Sequence, residues 1–358
     1  MYIYIHIPFC TSICSYCDFP KLLYNKRYIQ NYLSSLKREI LSRYKEEEVV
    51  SIYIGGGTPT SLDLEELEYL FEIISVFKRN GDIEFTIESN VESLDLNKMK
   101  LLKRYGVNRV SLGVQSFQEN TLKELNRKHT KEDIFKVIKN LKQENFKNIS
   151  IDYIYGVHSD IGEIKEDINA FLELDIPHIS CYSLIIESNT VFSINNRGYI
   201  EEEKELAMYN YIKGKLTSRG YKQYEISNYS KDGYQSLHNL NYWNNGEYYG
   251  FGLGAVSYLD NSRITNTKNF TKYLSNNYID NIEYEDKNTD MANTFMLGFR
   301  KTDGIDIVSF KNKYGVDVLS MEVVRRLINE TKLILCGNRL FIAPDYLYLS
   351  NEIILEFI

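Results

Sequence analysis

The sequence predicts an α/β fold in which six parallel βα units form a partial (β/α)6 barrel, followed by a small, mostly helical C-terminal domain. Two observations favour this fold. Short runs rich in Ile, Val, Tyr and Phe recur along the first half of the chain, and amphipathic stretches separate them. Polar or glycine-rich segments follow several of these runs, as ligand-binding loops follow the strands of a barrel.

The strand candidates are short and rich in residues that favour extended backbone. They are Tyr2–Ile7, Val49–Ile54, Asp82–Glu88, Arg109–Leu112, Asn148–Tyr155 and His178–Leu184. Helices are predicted between them. Ile29, Leu33, Leu36 and Ile40 share one face of a 3.6-residue period, and a second helix starts near Asp63 with acidic residues in its first turn. Similar helices are expected near 95–105, 131–145 and 162–174.

The pattern changes beyond about residue 190. A charged helix is expected at Glu201–Leu216, and a stretch rich in glycine and aromatic residues follows from His238 to Ser257. From about Asp290 the chain has the pattern of a compact helical end. We therefore predict a core barrel over residues 1–230, a connecting region over 231–285 and a C-terminal domain over 286–358.

Composition limits the partners that the chain can have. Its 358 residues carry a formal net charge of −7, so a nucleic-acid partner, which needs clustered cations, is not expected. No apolar run approaches the roughly 20 residues needed to cross a bilayer. We expect a cytoplasmic protein, and a reducing compartment fits the two remaining isolated cysteines, Cys181 and Cys336.

Three cysteines form the most informative motif of the sequence. Cys10, Cys14 and Cys17 follow the first strand with C-x3-C-x2-C spacing. Three thiolates on one loop can hold three corners of a [4Fe–4S] cluster and leave one iron open. A zinc site would need a fourth ligand such as His6, and a disulfide would leave one of the three cysteines unpaired.

Other polar groups are predicted at the same end of the barrel. Residues 55–60 (Gly-Gly-Gly-Thr-Pro-Thr) follow the second strand, Glu88 ends the third, Gln115 follows the fourth, and Asp152 lies within the fifth. A carboxylate inside an apolar strand must face a partner or a cavity. Since the carboxyl ends of parallel strands meet at one mouth, these groups and the cysteines are expected to face one site.

Several motifs, taken in order, resemble the HemN/HemW branch of the radical S-adenosylmethionine (SAM) superfamily. They are Y-x-H-I-P-F-C-x3-C-x-Y-C, G-G-G-T-P, S-x-G-V-Q-S-F and D-x-I-Y-G. The resemblance implies a radical SAM barrel in which Cys10, Cys14 and Cys17 ligate the cluster and SAM chelates the open iron. The reduced cluster would cleave SAM to a 5′-deoxyadenosyl radical. The SAM contacts implied by motif are Tyr4, Tyr16, Gly56, Gly57, Thr58, Glu88, Gln115, Arg127 and Asp152.

This branch contains oxygen-independent coproporphyrinogen III oxidases and heme chaperones. The oxidases have a further cysteine two residues after the third ligand, where this chain has Phe19, and an extension before the first strand. Residues 238–243 (His-Asn-Leu-Asn-Tyr-Trp) resemble the H-N-x-x-Y-W motif of the chaperones. The resemblance therefore implies a heme chaperone, with the oxidase as the alternative, and favours a role other than catalysis. A radical enzyme acting on another substrate would share the same front half.

Heme is the third expected cofactor, and His238 is the proposed heme ligand, because imidazole is the commonest protein ligand of heme iron. The alternative is that His238 and Trp243 only pack the loop under the barrel. Heme and heme-acceptor proteins are the expected partners. Membrane-associated acceptors are included among the candidates, and a homodimer is a candidate assembly.

Overall fold

A parallel sheet forms the centre of the computed structural model, which describes residues 1–358. Its six strands are β1 (Tyr2–Ile7), β2 (Val49–Gly56), β3 (Arg79–Asn90), β4 (Arg109–Gln115), β5 (Asn148–Tyr155) and β6 (His178–Ser183). Each pairs in parallel with the next in chain order. The predicted partial barrel is confirmed, with β2, β3 and β4 running further toward the mouth than the hydrophobic runs indicated.

Helices cover the outside of these strands, and all except Glu119–Glu124 lie where the sequence predicts them. They are Lys26–Arg43, Leu64–Ile74, Leu96–Arg104, Glu119–Glu124, Lys131–Gln143 and Ile161–Glu173. Asp63 begins the second of them as an N-cap, with a reciprocal bond to Glu66 that satisfies free backbone donors. Ile29 and Leu36 of the first helix are fully buried against the sheet. The apolar face read from the sequence is therefore the face that packs.

The sheet continues beyond the six predicted strands. Strand Tyr248–Phe251 pairs in parallel with β1, and Val256–Leu259, Ser262–Asn266 and Ile279–Tyr284 extend it with antiparallel pairing. On the far side, Asn228–Ser230 and Lys222–Gln223 follow β6. The remaining helices before residue 285 are Val191–Ile194, Glu202–Thr217, Leu237–Trp243 and Phe270–Leu274. We name Leu237–Trp243 the motif helix because it carries the H-N-x-x-Y-W residues.

The C-terminal region has a hydrophobic core of its own, which includes Phe295, Phe310 and Leu327. Its helices are Lys287–Gly298, Ile307–Tyr314, Glu322–Asn329 and Ser350–Ile354. It also contains an antiparallel sheet of Ile305–Asp306, Arg339–Ile342 and Leu333–Cys336, which the sequence analysis did not predict. The predicted domain boundaries near 230 and 285 stay predictions. None of the helices combines the length and apolar composition needed to cross a membrane.

Candidate functional site

The three cysteines of the motif line one cavity at the carboxyl end of the barrel strands. Its volume is about 410 Å³, and Cys10, Cys14 and Cys17 all face it with free thiols. The loop is tied down on both sides. The Tyr24 amide donates to the Cys10 carbonyl at 2.8 Å, and the Ser15 amide donates to the Leu125 carbonyl at 3.2 Å. These two hydrogen bonds therefore fix the backbone of the loop that carries the three thiols.

The donor set fits an iron–sulfur cluster better than a single zinc ion. Both ring nitrogens of His6 are occupied, Nδ1 by the Tyr4 hydroxyl at 3.0 Å and Nε2 by the Pro20 carbonyl at 2.8 Å. His6 therefore cannot serve as a fourth zinc ligand in this arrangement. No set of three or more His, Cys, Asp or Glu side chains in the chain is spaced to hold one metal ion. A cluster bridged by inorganic sulfide is wider and needs only sulfur donors from the protein.

The glycine loop after β2 packs directly on the cysteine segment. The Gly57 amide donates to the Ile7 carbonyl at 2.8 Å, and the Thr58 amide donates to the Phe9 carbonyl at 2.8 Å. Gly56 has a φ of +113°, a conformation that side chains disfavour. A Cβ atom there would lie 2.5 Å from His6 Nδ1. Glycine is therefore required for this close approach.

Glu88 lies beneath the glycine loop with both carboxylate oxygens engaged. Oε1 accepts a hydrogen bond from the Tyr53 hydroxyl at 2.8 Å, and Oε2 accepts one from the Gly56 amide at 3.0 Å. Desolvation raises the pKa of Glu88 to about 7, against the opposing effect of these two bonds. A cationic ligand in the cavity would favour the charged form of this carboxylate.

Gln115 and Asp152 face the cavity from neighbouring strands. The pairing of β4 with β5 is irregular between Gly113 and Gln115, and Gln115 has a φ of +68°, which is uncommon for a side-chain-bearing residue. The Asp152 carboxylate accepts a hydrogen bond from the Ser111 hydroxyl at 3.3 Å. Burial raises the pKa of Asp152, and bonds from Ser180 and Ser111 oppose the rise.

Arg127 connects the cysteine loop to the ends of β3 and β4. Its Nη2 donates to the Gly113 carbonyl at 2.7 Å and to Asn90 Oδ1 at 2.9 Å, and its Nη1 lies 3.4 Å from Cys14 Sγ. The side chain is buried, so its charge is shielded from solvent. Arg127 therefore braces the cysteine loop against the ends of both strands.

The structure brings most of the sequence-predicted residues to this cavity. Those that line it are Cys10, Cys14, Cys17, Tyr16, Gly56, Gly57, Thr58, Glu88, Gln115, Arg127 and Asp152. Tyr4 and His238 do not line it. Tyr4 lies one layer away, bonded to His6. Tyr53, Arg109 and Asn239, which were not predicted as site residues, also line the cavity.

His238 lies under the barrel rather than at its mouth. It is 1% exposed, its Nδ1 is 3.0 Å from the Ser51 hydroxyl, and its Nε2 is 2.9 Å from the Tyr242 hydroxyl. Burial lowers the pKa of His238 to about 3, so the ring is neutral. Neither nitrogen is free for iron in this arrangement.

The side chains of the motif helix face different parts of the molecule. Asn239, next to His238, faces the main cavity. Trp243 lines a second cavity of about 320 Å³ beside the C-terminal region, and its indole Nε1 is buried without an acceptor. The motif is thus not one contiguous porphyrin-facing patch in this structure.

Comparison with known proteins assigns the family. The model of the radical SAM superfamily matches residues 4–173, which implies a [4Fe–4S] cluster and SAM as cofactors. The chain is 35% identical to the heme chaperone HemW of Bacillus subtilis over 98% of this chain and 97% of that protein, and 38% identical to that of Lactococcus lactis over 99% and 96%. The chain belongs to the HemW family.

The predicted resemblance to the HemN/HemW branch is therefore confirmed. HemW of Escherichia coli is 32% identical over 92% of this chain and 89% of its own length. The solved structure of E. coli coproporphyrinogen III oxidase (HemN), a radical SAM enzyme, superposes with a TM-score of 0.87 over 99% of this chain and 89% of that chain. At 19% identity, HemN shows the fold that it shares with HemW and nothing about activity.

Proposed function

We propose that this chain is a heme chaperone, which binds heme and transfers it to acceptor proteins while carrying a [4Fe–4S] cluster and SAM. The observation that carries the proposal is the likeness to proteins named as heme chaperones, which extends over nearly the whole chain. All five cysteines are free, which supports a reducing compartment such as the cytoplasm. Association of an acceptor with the membrane and homodimerisation stay predictions.

The residues around the mouth fit the two cofactors that the superfamily implies. Cys10, Cys14 and Cys17 would ligate the cluster and leave one iron for SAM, to which a reduced cluster supplies one electron. Gly56 exposes backbone where a ligand can approach closely. Glu88 offers a carboxylate to a cationic group.

Apolar side chains at the rim of the cavity support heme as the cargo. Phe19 and Ile185 line the cavity, yet each is 62% exposed. Large apolar side chains left in water beside a cavity indicate a ligand or partner that covers them. A porphyrin presents two apolar faces, so its burial against this rim would be favourable.

Ligation of heme iron by His238 requires a local rearrangement. The neutral imidazole is the form that binds iron, but its Nε2 is bonded to Tyr242 and its Nδ1 to Ser51. Tyr242 belongs to the same motif helix and is four residues away. Release of the Tyr242 hydroxyl would free Nε2 while the bond to Ser51 keeps the ring oriented.

A pair of variants tests this ligand assignment in anaerobic heme titrations. His238→Ala is expected to weaken heme binding by at least about tenfold, because an axial iron bond is lost. Tyr242→Phe frees Nε2 with little change in volume and is expected to keep or increase heme affinity. Wild-type heme binding and an unchanged heme absorbance spectrum in His238→Ala would rule out His238 as the ligand, whatever its effect on thermal stability.

A further inference from the structure

Arg109 is a buried cation at the floor of the barrel cavity. It is 2% exposed, and it lines the cavity from the first position of β4. Its Nη1 donates to Asn148 Oδ1 at 2.7 Å, while its Nε has no hydrogen-bond partner. Buried charges in proteins are normally paired with an opposite charge. The Nε–H of Arg109 therefore lacks the partner that a buried donor normally has.

The neighbouring acidic side chains at the floor are already engaged. Glu84 caps the motif helix by accepting hydrogen bonds from the amides of Leu237 and His238, both at 2.9 Å. Asp152 accepts hydrogen bonds from Ser111. No ion pair joins Arg109 to either carboxylate. Arg109 thus forms no salt bridge, although its charge is among the causes that oppose the burial-driven rise in the pKa of Asp152.

Histidine does not change the charge of this floor. His178 lies between the Ser150 hydroxyl at 2.7 Å and the Tyr224 hydroxyl at 2.8 Å. Burial lowers the pKa of His178, with the charge of Arg109 as a second cause, so the ring is neutral. Burial likewise lowers the pKa of His238, so its ring is also neutral. The two histidines therefore add no positive charge beside Arg109.

Further neutral hydrogen-bonding side chains line the same cavity as Arg109. Asn239 of the motif helix and Tyr182 of β6 are among them, while the lining hydroxyls of Ser111 and Ser180 are already bonded to Asp152. A guanidinium presents paired donors that match the two oxygens of a carboxylate, and amide or hydroxyl groups add further donors. This combination is the donor set of a carboxylate site.

We propose that the floor of the barrel is a carboxylate-binding subsite, centred on Arg109 and Asn239 and separate from the implied SAM contacts. The carboxylate is a propionate of heme or a small free carboxylate. The first source rests on the proposed heme-chaperone function, and the second does not. The subsite gives the motif helix a role at the cavity, because Asn239 faces it while His238 does not.

Heme and its dimethyl ester, in which both propionates are esterified, test the first source. Anaerobically reconstituted wild-type protein is expected to bind heme about tenfold more tightly than the ester, because a charged hydrogen bond is lost with the ester. Arg109→Met is expected to abolish that difference. Arg109→Lys keeps the positive charge and should retain part of the affinity difference between heme and its ester. Arg104→Met, at an exposed position, should retain the whole difference.

Sodium propionate tests the second source. It is expected to raise the melting temperature of wild-type protein and not that of Arg109→Met, even if heme and its ester bind equally well. Asn239→Ala removes a cavity-facing amide and leaves the buried charge in place. It should reduce the preference for heme over its ester, the stabilisation by propionate, or both, according to which of them the wild type shows. This second variant keeps the test valid if Arg109→Met does not fold.

SAM affinity distinguishes a ligand-binding role from a structural one. Arg109→Met is expected to leave SAM binding unchanged, and a parallel loss of SAM binding would identify Arg109 as a support for Asp152 and overturn the subsite. The subsite would also be overturned if wild type and Arg109→Met showed the same preference for heme over its ester and the same rise in melting temperature with propionate. Absence of any heme binding in wild type would refute the proposed function, while the propionate measurement would still decide the subsite.

Discussion

Cys14→Ser is expected to abolish the [4Fe–4S] cluster, with iron and acid-labile sulfide falling to near zero after anaerobic reconstitution. The cavity offers three thiols as sulfur ligands, and no histidine lines it. A serine hydroxyl is a far poorer ligand for the iron of such a cluster than a cysteine thiolate. Iron and sulfide analysis together with visible absorbance measures the effect.

Cys336→Ser is the matched control for this experiment. Cys336 is an exposed free thiol at the end of strand Leu333–Cys336, on a different sheet from the barrel. Its replacement should leave iron, sulfide and absorbance at wild-type values. An intact cluster in Cys14→Ser, or loss of the cluster in Cys336→Ser, would contradict the assignment of the ligands.

Gly56→Ala is expected to remove SAM binding and to lower the free energy of unfolding by about 2–4 kcal/mol, through backbone strain and overpacking. The residue has a φ of +113°, and the added Cβ would lie 2.5 Å from His6 Nδ1. His6 in turn holds Tyr4 and the Pro20 carbonyl, so its displacement would disturb the cysteine segment. Isothermal titration with SAM and chemical denaturation measure the two effects.

Gly106→Ala separates backbone strain from the steric contact. Gly106 also has a positive φ, +86°, but an added Cβ there meets nothing within 4 Å. Gly106→Ala should lower the free energy of unfolding by only about 1–2 kcal/mol, the penalty of a left-handed backbone conformation, and should leave SAM affinity unchanged. Equal losses of stability and full SAM binding in both variants would show that the contact with His6 does not shape the site.

The sequence predicted the barrel well where a local pattern reports on packing. Alternation and apolar content identified β1 and β5 to the residue, because each lies in a layer covered by helices. The extension of the sheet was missed. Strand Tyr248–Phe251 pairs with β1 from more than two hundred residues away, and no local pattern encodes such a pairing.

The candidate site was predictable where a motif or a strand end carries the chemistry. The cysteine loop, Gly56 and Glu88 lie at the mouth as expected. Arg109 could have been found, since it shares the inward alternation of β4 with Ser111 and Gln115. The burial of His238 could not, because it depends on long-range contacts with Ser51 and with the capping carboxylate of Glu84.

The most direct test of the proposed function compares heme transfer with oxidase activity in one preparation. Anaerobically reconstituted protein is mixed with heme and an apo heme protein, and separately with coproporphyrinogen III, SAM and a reductant. The account expects stable heme binding, passage of heme to the acceptor, and no decarboxylated product. Efficient conversion of coproporphyrinogen III without stable heme binding would contradict it.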